Sequence, residues 1–220
     1  RNSCVGCIEH REISMKDSIN FLLAGVGGQG TILASDVLVN VGLASGYQAK
    51  QAEVHGMSQR GGSVTSFVRW GRVVYSPLVG AGEVDVFLAF EKVEALRGLR
   101  QLRPGALVLV NMEAIAPLTV ASGDAVYPDD ERLYAAVAQV TEQAAFVNGA
   151  ALAAQLGNAK AANVVLLGAL SALMERLRAA GPPMPRDASL SGISAAVPAR
   201  YVELNRRAFQ SGRDAVLHTP

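Results

Sequence analysis

Two short segments carry the residue types and spacings that can do chemistry. The first is Gly25-Val26-Gly27-Gly28-Gln29-Gly30-Thr31, a GxGxxG pattern. Its glycines permit a tight turn with close backbone approach, and free amides at a following helix start can receive an anion such as a phosphate. The second is Glu53-Val54-His55-Gly56-Met57-Ser58-Gln59-Arg60-Gly61-Gly62-Ser63. His55 can donate or relay a proton. Arg60 carries a planar fork that grips a carboxylate or phosphate in two places. Each segment also has a plainer use. The glycine turn can serve only to pack a helix on a sheet, and the His55–Gly62 loop can be a subunit contact.

The flanking sequence says what positions these groups. An apolar run, 19–24, precedes the glycines and predicts a first strand; 32–44 has helical spacing through Ile32, Leu33, Val37, Leu38 and Val41. Residues 47–54 predict a second strand. Ser63–Trp70 and Arg72–Ser76 flank Gly71 and predict a β-hairpin rich in Val, Phe, Trp and Tyr. Val84–Phe90 and Ala106–Val110, the latter ending at Asn111, are continuous apolar runs expected of strands buried on both faces. Helices are expected at Glu91–Leu102, stopped by Pro104-Gly105, and at Asp129–Gln143, Ala159–Ala180 and Arg200–Ala208. Glu91 and Glu94 are expected at a solvated helix start, and Arg97, Arg100 and Arg103 on a solvated helix face. The fold class is α/β: a Rossmann-like three-layer domain with a mostly parallel sheet and an inserted β-hairpin. Residues 1–14 read as a flexible extension and 15–220 as one domain.

Composition narrows the function. Half of the 220 residues are hydrophobic and 18% are charged, so a large core is available. Net charge is +1 with the basic residues dispersed, which argues against nucleic acid or an anionic membrane as partner. The longest apolar stretch, Val164–Met174, is broken by Gly168 and falls short of the roughly 20 residues a membrane span needs. The chain has two cysteines, Cys4 and Cys7, with His10 nearby. They are too few for a disulfide-stabilised secreted fold or for a four-iron cluster of four cysteine ligands. A cytoplasmic location is expected, and no metal site is assigned.

A dehydrogenase of the Rossmann type wants an acid at the end of the second strand to hold the ribose hydroxyls. Glu53 stands 23 residues beyond Gly30, but the His55–Gly62 loop and a hairpin follow it where a crossover helix is expected. Hydride-transfer machinery is absent from the later sequence.

Taken together, the glycine motif, the His-Gly-Met-Ser-Gln-Arg-Gly-Gly segment and Val84-Asp85-Val86 with Glu91 beyond it resemble the gamma-type domain of the 2-oxoacid:ferredoxin oxidoreductases. Within that family the likeness is to the small subunit of the indolepyruvate enzymes, and it runs from about Asn20 to Arg207. The resemblance implies a complex that decarboxylates an aryl-2-oxoacid on thiamine diphosphate, passes electrons through iron–sulfur clusters to ferredoxin and transfers the acyl group to coenzyme A. This sequence lacks a Gly-Asp-Gly motif completed by asparagines; Gly123-Asp124 is followed by Ala125. Thiamine diphosphate, its magnesium and the 4Fe-4S clusters are therefore expected in a larger alpha subunit, and none of these cofactors in this chain alone. Gly25, Gly27, Gly28, Gln29, Gly30 and Thr31 would cradle a coenzyme A phosphate. Ser58, Gln59 and Arg60 would face the partner's site or the acyl-acceptor path, with His55 and Arg60 as auxiliary groups. A nucleotide-binding or scaffolding subunit without a part in the chemistry is the alternative.

Overall fold

The computed structural model describes residues 18–55, 62–177 and 184–217. Cys4, Cys7, His10, Ser58, Gln59, Arg60 and His218, together with the side chain of His55, lie outside what it describes.

Six strands form one sheet: β1 (Ser18–Val26), β2 (Gln48–His55), β3 (Ser63–Gly71), β4 (Val84–Ala89), β5 (Leu102–Asn111) and β6 (Ala144–Val147). Their spatial order is β2-β3-β1-β4-β5-β6. β1, β4, β5 and β6 run parallel, while β3 lies antiparallel between β1 and β2. All six residues of β4 are buried, as a strand covered on both faces requires.

The helices are α1 (Thr31–Ala44), α2 (Lys92–Gly98), α3 (Leu118–Ala121), α4 (Asp130–Ala138), α5 (Gly149–Gln155), α6 (Ala162–Leu177), α7 (Arg186–Ala196) and α8 (Val202–Leu217). On one face of the sheet Phe21, Leu23, Val86, Leu88, Leu107 and Leu109 pack against α1, α6, α7 and α8. On the other face Leu22, Ala24, Phe87, Ala89, Val108 and Val110 pack against Ala95 of α2 and Leu133 and Val137 of α4. The three-layer α/β architecture follows. Helix α6 buries twelve of its residues, Asn163 through Met174, because it is covered by the sheet and by α8. Its contact with α8 is made by glycines: a Cβ on Gly168 would stand 1.9 Å from the Phe209 carbonyl oxygen, and one on Gly212 1.8 Å from that of Val165. No helix among the described residues is long and apolar enough to cross a membrane.

Several expectations need correction. The inserted hairpin is present, but it is β2–β3, with His55 opposite Val64 and Gln48 opposite Gly71. Arg72–Ser76 forms no strand, because both edges of β3 are already paired, with β1 and with β2. The Val74 amide is satisfied instead by the Gln48 side chain, at 2.9 Å. The helix expected over Glu91–Leu102 ends at Gly98, passes through a 3-10 turn and gives way to β5 at Leu102. Pro104 and Gly105 sit inside β5, where the ladder to β4 skips from Val84–Leu102 to Val86–Leu107. Such an irregularity leaves residues unpaired, and proline, which has no amide to donate, is tolerated there.

Asp129 caps α4 by accepting from the Arg132 amide, so that helix starts one residue later than expected and ends at Ala138. The 159–161 segment is a 3-10 turn ahead of α6. Helix α8 runs on to Leu217, with Asn205, Ala208, Phe209, Gly212, Arg213 and Val216 on its buried stripe. β6, α3, α5 and α7 were not anticipated. The short lengths and the Ala, Ser and Gly content of these elements leave little periodicity to read.

Candidate functional site

Helix α1, which follows β1, lies on one face of the sheet, and α2, which follows β4, lies on the other. Strand order therefore reverses between β1 and β4, and the carboxyl ends of these two strands flank a crevice. Ligands of open α/β sheets bind at such a crevice. The glycine turn forms one lip of it.

The conformations at the turn explain its composition. Gly28 has φ 102° and Gly30 has φ 79°, the left-handed region open to glycine. A Cβ on Gly25 would come within 2.9 Å of Gln29 Oε1, Thr31 Oγ1 and Phe90 Cβ; one on Gly30 would come within 2.4 Å of Asn163 Nδ2. The Gly27 amide donates to the Gly62 carbonyl at 3.0 Å, which ties the turn to the last residue of the second motif. Packing alone thus accounts for Gly25 and Gly30. Thr31, 3% exposed, opens α1.

Gln29 fills the inner side of the crevice. Its Oε1 accepts from the Val26 amide at 2.8 Å, and its Nε2 donates to the Phe90 carbonyl and to Glu113 Oε2, both at 2.9 Å. Asn111, at the end of β5, donates to the same two acceptors, and its Oδ1 accepts from the Gly149 amide at 2.9 Å. One amide side chain from β5 and one from the turn thereby link the carboxyl ends of β1, β4 and β5 with the start of α5. Glu113 places a carboxylate inside this crevice.

The acids after β4 are buried, in contrast to the solvated helix start expected for them: Glu91 is 1% and Glu94 3% exposed. Glu91 caps α2, its Oε2 accepting from the Val93 and Glu94 amides at 2.6 and 3.0 Å. Its Oε1 accepts from the Ile115 amide and from the Tyr127 hydroxyl, which straps the segment after β5 down over α2. Burial, reinforced by donation to the Glu91 carboxylate, pushes the Tyr127 hydroxyl well above the ordinary tyrosine range. Glu94 accepts from Ser63 Oγ at 2.6 Å and pairs with Arg97. Ser63 follows the second motif directly, so that motif's exit is held both by the glycine turn and by α2.

The arginine series does not share a helix face. Arg103 lies on β5, where its Nε reaches the fully buried Asp85 at 2.6 Å. Asp85 also accepts from the Asn20 amide, at the opposite end of the strands from the glycine turn.

Asn111, Glu113, Tyr127 and Asn163 were not singled out from sequence. Asn111 was visible only as a polar stop to an apolar run. The other three are brought in by loop and helix placement that spacing does not encode. Among the described residues no group of three or more His, Cys, Asp and Glu is placed to hold a metal ion.

Comparison with known proteins places this geometry. Residues 20–215 match the family model described as "Pyruvate ferredoxin/flavodoxin oxidoreductase". The chain is 39% identical over 194 residues to indolepyruvate oxidoreductase subunit IorB of Thermococcus kodakarensis, covering 88% of this chain and 93% of the relative. It is 30% identical over 193 residues to the subunit of the same name from Methanothermobacter thermautotrophicus, covering 88% and 95%. Among solved structures, the gamma subunit of a keto/oxoacid ferredoxin oxidoreductase from Geobacter sulfurreducens superimposes with a TM-score of 0.66 at 26% identity, over 91% of this chain and 99% of that one. The 2-oxoglutarate:ferredoxin oxidoreductase of Magnetococcus marinus shares the fold, with a TM-score of 0.69 at 18% identity; the match spans 93% of this chain but 32% of that longer one. The chain belongs to the pyruvate ferredoxin/flavodoxin oxidoreductase family, as a small subunit of the 2-oxoacid:ferredoxin oxidoreductase type.

Proposed function

We propose that this chain is the small subunit of an indolepyruvate or other arylpyruvate oxidoreductase, inactive alone, that completes the active site or the coenzyme A path of a larger alpha subunit. The partner would carry thiamine diphosphate, magnesium and 4Fe-4S clusters, and the assembled enzyme would convert an aryl-2-oxoacid to the aryl-acetyl-CoA with electrons passing to ferredoxin. The observation that carries this proposal is the near end-to-end match to relatives named as indolepyruvate oxidoreductase subunits.

The local geometry supports a division of labour between the two motifs. Gly25, Gly27, Gly28, Gln29, Gly30 and Thr31 form the lip of the crevice, with Thr31 opening α1 toward a phosphate of coenzyme A. The 55–62 segment leaves β2 and returns through Gly62 and Ser63, both fastened by hydrogen bonds. Ser58, Gln59 and Arg60 would face the partner's site or the acyl-acceptor path. Arg60 would grip the substrate carboxylate or a phosphate, and His55 would assist proton movement. A scaffolding or nucleotide-binding subunit is the second reading, and the close packing at Gly25 and Gly30 favours its scaffolding form.

Co-expression with the alpha subunit separates the two. Coenzyme A-dependent oxidation of indolepyruvate should require both chains. Arg60→Ala should lower coenzyme A-dependent turnover while the complex stays assembled. Unchanged kinetics in that variant would move Arg60 to a structural role and favour the scaffold.

A further inference from the structure

The segment between β5 and α4 is tied down firmly, yet it exposes apolar side chains. Residues 112–127 include the short α3, and both arms are fastened to one buried carboxylate: Glu91 Oε1 accepts from the Ile115 amide at 3.0 Å and from the Tyr127 hydroxyl. The Ala125 amide donates to the Thr119 carbonyl at 3.0 Å, which folds the second arm back beside α3. None of the sixteen residues is fully buried. Val126 is 93% and Leu118 83% exposed, with Ala114, Ala116, Ala121 and Ala125 exposed around them. Fixing a backbone costs conformational entropy, and apolar side chains left in water do nothing to offset it. A second surface laid over them supplies the missing burial, and contiguous apolar exposure of this kind marks interaction sites.

Charge and position indicate what covers this face. Residues 112–128 hold Glu113 and Asp124 and no Lys or Arg. Gln29 and Asn111 both donate to Glu113 Oε2, so the carboxylate is set in place, while its Oε1 has no hydrogen bond or ion pair among the described residues. An acceptor fixed beforehand loses little side-chain freedom when a cation arrives. β1, β2, β4 and β5 all run in one direction, so this loop leaves the sheet at the same end as the glycine turn and the 55–62 segment. β2 and β5 are four strand spacings apart, or about 19 Å. A standard interface of about 800 Å² per partner is roughly 30 Å across, wide enough to span both.

We propose that the face formed by residues 112–127 docks the larger subunit, against an apolar patch of that partner that carries a lysine or arginine for Glu113 Oε1. Leu118 and Val126 are the apolar anchors, and the Glu113 pair sets the register. This deepens the split-enzyme reading above and rests on it for the identity of the partner. It adds a second contact to the 55–62 segment, at the far side of the same end of the sheet.

The test is competition during assembly. Tagged large subunit is co-expressed with the wild-type chain and one full-length variant, and their ratio in the purified complex is read by intact mass against their ratio in the soluble extract. Leu118→Asp and Val126→Asp, at exposed positions, should each be retained about tenfold less than wild type, because the interface would bury an unpaired charge. Their unfolding midpoints as isolated chains should match wild type. Glu113→Gln keeps the shape and removes the charge, and should be retained roughly threefold less. Tyr75→Asp is the control: Tyr75, 91% exposed, follows β3 at the opposite end of the sheet, and its variant should be retained within about twofold of wild type. Equal retention of Leu118→Asp and Val126→Asp, full retention of Glu113→Gln, or an equally large loss with Tyr75→Asp overturns the proposal. If the two aspartate variants assemble normally but lower the native mass of the isolated chain, the face belongs to a second copy of this chain instead. Failure of the wild-type chain to be retained at all takes the split-enzyme reading down too; wild-type retention with indifferent variants removes this surface alone.

Discussion

Gln29→Glu is the substitution that most directly probes the crevice. It changes one NH2 to an oxygen with almost no change in shape. The wild-type Nε2 makes two donated bonds, to the Phe90 carbonyl and to the Glu113 carboxylate. Loss of a neutral bond costs about 0.5–1.5 kcal/mol and loss of one to a charged acceptor about 1.5–3. The new carboxylate would also face both acceptors, one of them charged. Gln29 and Glu113 are both partly exposed, which lets water and rotation relieve some of the repulsion. We expect a net destabilisation of about 2–4 kcal/mol, seen in urea or guanidinium unfolding as a lower midpoint with an unchanged slope. For a domain of this size that corresponds to a fall in Tm of roughly 5–15 °C. Adding Glu113→Gln restores a donor opposite the new carboxylate, so the double variant should recover about 1–2 kcal/mol of coupling. A Gln29→Glu chain as stable as wild type, or strictly additive effects in the pair, would refute the picture of a crevice closed by this amide.

Three further outcomes follow from particular contacts. Gly212→Ala puts a methyl 1.8 Å from the Val165 carbonyl oxygen, so α6 and α8 must move apart; a loss of more than about 3 kcal/mol is expected in equilibrium unfolding. Gly46→Ala, with φ 84° and open space around it, is the control and should cost only about 1 kcal/mol. Arg103→Ala leaves the buried Asp85 carboxylate without its guanidinium partner and should cost about 2–4 kcal/mol by the same measurement. In a spectrophotometric titration Tyr127 should ionise well above the ordinary tyrosine range, and Tyr127→Phe should remove that late step. The sign follows from the raised pKa: the contribution of Tyr127 to stability is intact below about pH 10 and declines only as pH climbs beyond it.

Much of the fold was legible because period and punctuation agreed. β1, α1 and β4 announce themselves as an apolar run, a glycine turn with helical spacing, and a second apolar run, and each boundary falls within two residues of the expected one. The errors arose where tertiary pairing overruled composition. Arg72–Ser76 is as β-like as its neighbours, yet no edge was left for it. Pro104-Gly105 reads as a helix stop, yet it lies in an irregular stretch of β5. Glu91 and Glu94 look like surface charges until Tyr127, Ile115 and Ser63, distant in sequence, close over them. At the site, the sequence revealed the turn but not the residues that close around it. The residues facing the turn from other elements, Glu113 inside and Asn163 outside, are lone polar residues with no spacing to mark them.

The central claim is that this chain works as one part of a split enzyme. Anaerobic purification from the native cells, followed by native mass with iron and thiamine content, tests it most directly. We expect a stable complex with a large subunit that carries both cofactors. A cofactor-free species with the mass of this chain, or a small multiple of it, would contradict the claim.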